Sequence, residues 1–138
     1  MRTLHFGLRV ADRERALAFY GALGYAVVGT VPETGTGHLT MLKLPGDEFV
    51  TIELVHDPDR ADVVAGNGLS HFVIQVESLD ATIEAIAAHG IEVEEPTSPA
   101  GSGEFRTTFV VDPDGNRIEL VQWPAGHADG MTAADWDE

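Results

Sequence analysis

The strongest constraint on this chain is that it nearly repeats itself. His5 to Val10 reads HFGLRV, and half a chain later His71 to Val76 reads HFVIQV. A period of that length marks two copies of one supersecondary unit. Each copy continues with a helical pattern, DRERALAFYGAL from Asp12 and LDATIEAIAAH from Leu79. Apolar residues fall at Ala16, Leu17, Phe19 and Tyr20, and at Ile83, Ile86 and Ala87, the spacing of an amphipathic helix. Asp12 and Ser78 are candidate N-caps. Both patterns stop at a glycine, Gly24 or Gly90, separated by the same step as His5 and His71. A strand candidate follows each, YAVVGTV from Tyr25 and IEVEE from Ile91. Two more follow in each half, over 38–44 and 49–55, then over 106–111 and 116–121. PGDEF from Pro45 and DPDGN from Asp112 are turn sequences. The second is acidic enough to suggest calcium but reads better as a tight hairpin turn.

The chain is therefore βαβββ twice over, an α+β protein. Module 1 covers about 1–56, a linker 57–68 and module 2 about 69–124, giving one domain over 1–124. An acidic tail over 125–138 reads as a solvated extension. Neither half is large enough to be stable alone, so each must share a sheet surface with the other or with a second chain.

Composition removes several function classes. There are 23 acidic residues against 8 basic ones, a formal net charge of −15, and Lys43 is the only lysine. Nucleic acid needs a basic face, so it is excluded as a partner. High-salt adaptation and a GC-rich coding bias are competing origins for this acidity. No apolar run approaches the ~20 residues that span a bilayer. The amino terminus is too interrupted for a signal peptide, so the cytoplasm is the default location. With no cysteine, a bound metal would have to be held by nitrogen and oxygen.

The repeat then singles out four residues. The step from His5 to Glu53 is identical to the step from His71 to Glu119. Both glutamates lie inside the same apolar word, IELV, at Ile52 and at Ile118. On a strand with one wet face they would simply point at water. If that face is enclosed, an unpaired carboxylate costs several kcal/mol, against a whole-domain stability of ~5–15 kcal/mol. A divalent cation would offset that cost. His and carboxylate donors suit Zn, Ni, Co, Mn or Fe(II). His38 and His56 lie near strand ends and read as surface or core-edge residues, and His89 and His127 have no partner pattern. Trp123 could wall a pocket, although packing is its simpler role.

LHFGLRV at the start, GLSHFVIQV in the middle and FVVDPDGNRIELV near the end resemble the vicinal-oxygen-chelate superfamily. That group comprises glyoxalase I, bleomycin-resistance proteins and extradiol dioxygenases. The resemblance implies tandem βαβββ modules forming cup-shaped mixed sheets around one divalent metal per site. It implies His5, Glu53, His71 and Glu119 as metal ligands. Extradiol dioxygenases and fosfomycin-resistance enzymes have no ligand at the Glu53 position, and methylmalonyl-CoA epimerases have a glutamine there. Bacterial glyoxalase I is the member with His, Glu, His, Glu. Arg9 matches a glyoxalase arginine that contacts the glutamyl carboxylate of glutathione, and Gln75 is its counterpart in the second half. Arg106 is the other candidate for a substrate anion.

The resemblance further implies a lyase that isomerises the thiol adduct of methylglyoxal, with Glu119 or Glu53 as the base, in a homodimer. The alternatives are another metal-dependent member of the superfamily (a ring-cleaving dioxygenase, an epimerase or an antibiotic-modifying thiol transferase) or a non-catalytic antibiotic- or metabolite-binding protein. Departures concern the thiol. Asp57 stands where glyoxalases have asparagine, Asn67 where some have arginine, and the loop 100–103 lacks their lysine.

Overall fold

A computed structural model describes residues 1–60, 62–99 and 105–136. The chain divides into two compact units. The first is Met1–Leu69 together with the hairpin tip Asp112–Asn116, and the second is Ser70–Val111 with Arg117–Glu138.

In the first unit, β1 (Phe6–Arg9) leads into α1 (Arg13–Ala22), then β2 (Ala26–Thr34), β3 (Gly37–Lys43) and β4 (Ile52–His56). The sheet order is β1-β4-β3-β2, with β1 parallel to β4 and the remaining pairs antiparallel. Asp12 caps α1 as its sequence suggests, its Oδ1 accepting from the Arg15 N–H at 3.0 Å. The helix closes in a Schellman arrangement: Tyr25 N–H donates to Tyr20 O and Gly24 N–H to Gly21 O, both at 3.0 Å. Gly24 has φ of 105°, the left-handed conformation this ending needs.

Strand β4 begins later than the sequence pattern predicts, at Ile52 and not at Phe49. Asp47 explains the delay: its Oδ2 accepts from the Leu44 N–H and the Thr51 hydroxyl, both at 2.9 Å, and holds the intervening chain in a turn. Alternate residues Leu8, Val10, Thr40, Leu42, Ile52 and Leu54 are buried. Together with Ala16, Phe19 and Tyr20 of α1 they form the core of this unit.

The second unit repeats the pattern with one strand fewer. Strand β5 (Phe72–Gln75), helix α2 (Leu79–Ala87), β6 (Arg106–Val111) and β7 (Arg117–Gln122) give a sheet ordered β5-β7-β6, with β5 parallel to β7. Ser78 caps α2 by accepting from Ala81 N–H. The expected strand from Ile91 is absent as a ladder member. Glu94 N–H donates to Phe109 O and Thr97 forms an isolated bridge with Thr107, but nothing regular links them. Glu92, Glu94 and Glu95 followed by Pro96 explain this. Glutamates disfavour strand, and proline removes a ladder donor. The buried face carries Ile74, Thr108, Val110, Ile118 and Leu120, with Leu79 and Ile86 of α2.

The DPDGN segment is a turn held by one carboxylate. Asp112 is buried, and its Oδ1 accepts from the N–H groups of Asp114 (2.9 Å) and Asn116 (2.8 Å). Its Oδ2 accepts from the Asn116 side chain at 3.0 Å and from the Tyr20 hydroxyl at 2.6 Å. Both oxygens are taken by N–H and O–H donors, the signature of a turn and not of a calcium loop. Burial and the neighbouring Asp112 carboxylate push the Tyr20 phenol well above its ordinary range, and burial does the same for Tyr25.

Because these phenols ionise with more difficulty folded than unfolded, their stabilisation is complete below about pH 10 and is lost as pH climbs above it. Urea denaturation from pH 8 to 11 should show stability falling with pH, and Tyr20→Phe should flatten that fall. At pH 7 the same substitution should cost about 1–3 kcal/mol, by leaving a buried carboxylate oxygen short of a donor.

Candidate metal centre

Each unit holds one histidine–glutamate pair, built the same way. Glu53 lies on β4, hydrogen-bonded to β1 on one side and β3 on the other, opposite Gly7 and Met41. Glu119 lies on β7, opposite Val73 and Phe109. Both glutamates therefore sit on interior strands at the same register step, on the sheet face opposite the buried core residues. The histidines immediately precede β1 and β5. His5 Nε2 is 3.9 Å from Glu53 Oε1, and His71 Nε2 is 3.2 Å from Glu119 Oε2. The histidine side chains are each 36% exposed, while the glutamates are 23% and 18% exposed. These faces are half-open, neither wet surface nor sealed core.

The pairs differ in what braces them. Beside Glu53 stands Gly7, where an added Cβ would only reach ordinary contact with Glu53 Oε2 at 3.4 Å. In the second unit Thr107 donates its hydroxyl to Glu119 Oε1 at 2.7 Å, fixing the carboxylate with Oε2 toward His71. Ser70 Oγ lies 2.8 Å from His71 Nδ1, and the Phe109 ring meets the imidazole edge-on at 5.6 Å. This contact on Nδ1 orients the ring and leaves Nε2 directed at the glutamate, the usual support for a metal-ligating histidine. Ser70 and Thr107 escaped the sequence reading. Strand alternation could have found Thr107, which shares a face with the Phe109 that stands opposite Glu119.

Among the described residues, no lysine or arginine pairs with either glutamate. Two nitrogen donors and two carboxylates are the chemistry of a borderline divalent ion. Among the described residues no group of three or more His, Asp or Glu side chains is assembled that could hold a metal. Each unit offers two donors, half of a usual shell.

The family model described as "Glyoxalase/Bleomycin resistance protein/Dioxygenase superfamily" matches residues 2–120. The chain belongs to this superfamily. It is 36% identical over 131 residues to a probable lactoylglutathione lyase of Vibrio cholerae, covering 92% of this chain and 94% of the relative. It is 33% identical to lactoylglutathione lyase of Salmonella typhimurium, covering 88% and 93%. Its fold matches a trypanothione-dependent glyoxalase I of Leishmania major with a TM-score of 0.72 at 26% identity, covering 88% and 86%. The glyoxalase superfamily is generally metal-dependent.

Of the other sequence candidates, Arg106 faces away from the pairs, while Arg9 and Gln75 share the glutamate face of their strands. Arg106 is on the opposite face of its sheet from Glu119, where its guanidinium bonds Asp80 at 2.9 Å. That hydrogen bond holds the Asp80 carboxyl below its usual range. Arg106 thus tethers β6 to the first turn of α2 and does not join His71 and Glu119. Gln75 is on the glutamate face, but both ends of its amide are engaged: Nε2 donates to Asp129 Oδ1 at 2.8 Å and Oε1 accepts from Gly130 N–H at 3.2 Å.

The tail is correspondingly not a free extension. His127 stacks on Trp123 at 4.5 Å and reaches Asp135, and residues Ala133–Trp136 form a 3₁₀ turn. Trp123 also packs against Phe105, the packing role expected of it. His38 and His56 form a cross-strand pair at the sheet end, and His56 Nδ1 lies 3.3 Å from Val10 O. Arg9 stands on the glutamate face of β1. The loop 100–103, noted for lacking lysine, lies outside the described residues.

Thr107→Val should lower affinity for divalent metal about tenfold to a hundredfold. Competition titration against a chromogenic chelator, with Thr108→Val as the control on the core face, reads this directly.

Proposed function

We infer that this chain is a glyoxalase I-type carbon–sulfur lyase, isomerising the hemithioacetal of a 2-oxoaldehyde and a thiol to a 2-hydroxyacyl thioester. One observation carries the reading beyond family membership. The same histidine–glutamate pair stands at the same register step in both halves, and Glu53 is the donor that distinguishes the glyoxalase pattern from its dioxygenase and epimerase cousins. Relatives of nearly equal length are named lactoylglutathione lyase. The non-catalytic binding alternative fares worse, because sequestering members of the superfamily commonly lose these residues and this chain keeps all four.

His5, Glu53, His71 and Glu119 are the proposed ligands of one divalent ion. Two pairs are needed for a full shell, and a homodimer is the proposed means of completing it. A divalent ion held there supplies Lewis acidity toward adjacent substrate oxygens. The residues do the proton work. A carboxylate oxygen of Glu119 or Glu53 takes the hydrogen from the carbon that carries sulfur and hydroxyl. It returns that proton to the neighbouring carbonyl carbon, while the hydroxyl proton passes to the oxygen of that second carbon. The C–S bond is kept, no electron donor is needed, and the product is an isomer of the substrate. Thr107 fixes one oxygen of Glu119, leaving the other for the proton. Because the two halves match, either glutamate can be the base. The same proposal sets the reaction in the cytoplasm, where small thiols are kept reduced.

The test is metal content followed by turnover of methylglyoxal with glutathione, γ-glutamylcysteine and mycothiol. Glu119→Gln and Glu53→Gln should each retain the fold, with the base variant losing about 10²–10⁴-fold in kcat. A metal-loaded wild type that turns over none of the three adducts overturns the lyase reading.

A further inference from the structure

On the face of the first sheet away from Glu53, the strand ends carry two histidines that the candidate metal centre does not use. His38 on β3 and His56 on β4 are register partners. They come next on the core face after the buried Thr40 and Leu54. As cross-strand partners their Cβ atoms stand about 4.5–5.5 Å apart, close enough for both rings to reach one ion. They line a cleft of about 460 Å³. The first turn of α1 borders it through Arg13, β2 through Glu33, and the loop after β4 through Asp57 and Asp59.

The two rings are prepared in different ways for the same task. His56 Nδ1 lies 3.3 Å from Val10 O. A carbonyl oxygen only accepts, so that contact puts the proton on Nδ1 and leaves the lone pair on Nε2. A backbone carbonyl holding the far N–H is the usual support of a metal-ligating imidazole. His38 Nδ1 is buried and meets no hydrogen-bond partner. A nitrogen left so is costly, and an ion or a water is the usual remedy. Charge favours the ion. With both imidazoles neutral, the cleft sets three carboxylates against one guanidinium, whose Nε is tied to Thr40 Oγ1 at 3.0 Å. Among the described residues none of the three carboxylates forms an ion pair. Imidazole nitrogen beside carboxylate oxygen suits Zn, Ni or Cu(II) better than Mg or Ca. The histidines supply two donors, and no third is already in place among the described residues. Water and the side chains of Glu33, Asp57 or Asp59 are at hand to complete the shell.

We propose that His38 and His56 form a second, weaker site for a transition-metal ion, distinct from the candidate metal centre. Glu53 lies three residues before His56 on β4, on the opposite face, so the sheet itself separates the two. An ion on this pair clamps β3 to β4 and draws the loop after β4 toward β2. Stability then rises with free metal, because the ion binds the folded chain alone. The site is independent of the lyase reading.

The test disables the candidate metal centre and asks whether metal still binds. In a His5→Ala/His71→Ala background, zinc alone is titrated against a chromogenic chelator, with circular dichroism confirming the fold. The background should take up about one equivalent per chain, and its melting temperature should rise with zinc. Adding His56→Ala should weaken uptake about a hundredfold, since losing even a group behind the ligand costs tenfold or more. His38→Gln, which keeps size and polarity, should do the same. His89→Ala removes an exposed histidine elsewhere and should leave uptake unchanged. With Cu(II) in place of zinc, electron paramagnetic resonance should show coupling to two imidazole nitrogens, and to one in either variant. A folded background that takes up no zinc overturns the site. So does uptake that His56→Ala and His38→Gln leave intact, or that His89→Ala weakens equally. Should the background fail to fold, the same count is made on the otherwise native chain. There His38→Gln/His56→Gln should bind one equivalent fewer than wild type, and equal uptake overturns the site.

Discussion

A carboxylate on an interior strand is the constraint on which the rest depends. Glu53 and Glu119 are hemmed by hydrogen-bonded neighbours on both sides, so neither can swing past a sheet edge into bulk water. Each keeps under a quarter of its side-chain surface exposed. A carboxylate so placed needs donors or a cation. The chain supplies one imidazole per glutamate and, at Glu119, a threonine hydroxyl. Among the described residues no lysine or arginine pairs with either. That leaves both carboxylates open to the divalent ion and the proton transfer proposed for them above. The opposite face of each sheet carries most of the buried aliphatic side chains, and stability has to come from there.

Much of this was legible in the sequence because the repeat supplied a second, independent copy of each signal. The helices, their caps at Asp12 and Ser78, the glycine ends and the shared His–Glu step are local patterns read twice. What the sequence pattern missed depends on side chains meeting across elements. Arg106 was a candidate for substrate because arginine suits anions. Only the register against Gln122 shows that it faces α2, where Asp80 satisfies it. Gln75 looked free until the returning tail engaged both ends of its amide. The missing strand after Ile91 shows repeat logic being overridden by composition, the glutamates and Pro96 outweighing the example of β2.

The charge balance has its own logic. With acids outnumbering bases almost three to one, cations are scarce and mostly serve architecture: Arg106 ties β6 to α2, and Arg117 covers the Phe109 ring beside Glu94. A surplus of carboxylates on the surface repels anionic ligands at long range. Any anionic ligand must therefore gain enough from contacts made at close range to offset that repulsion.

The turn at Asp112 has a consequence reaching beyond its own stability. Val111 and Arg117 close the β6–β7 hairpin, and the residues between them set which way the chain is facing when β7 begins. Side chains alternate along a strand, so one residue more or less in that loop would turn Glu119 to the helix side and Ile118 to the open side. Asp112, by gripping Asp114, Asn116 and Tyr20 at once, fixes that count. A buried aspartate that never touches the chemistry thus decides, by parity alone, whether the second half carries a usable carboxylate.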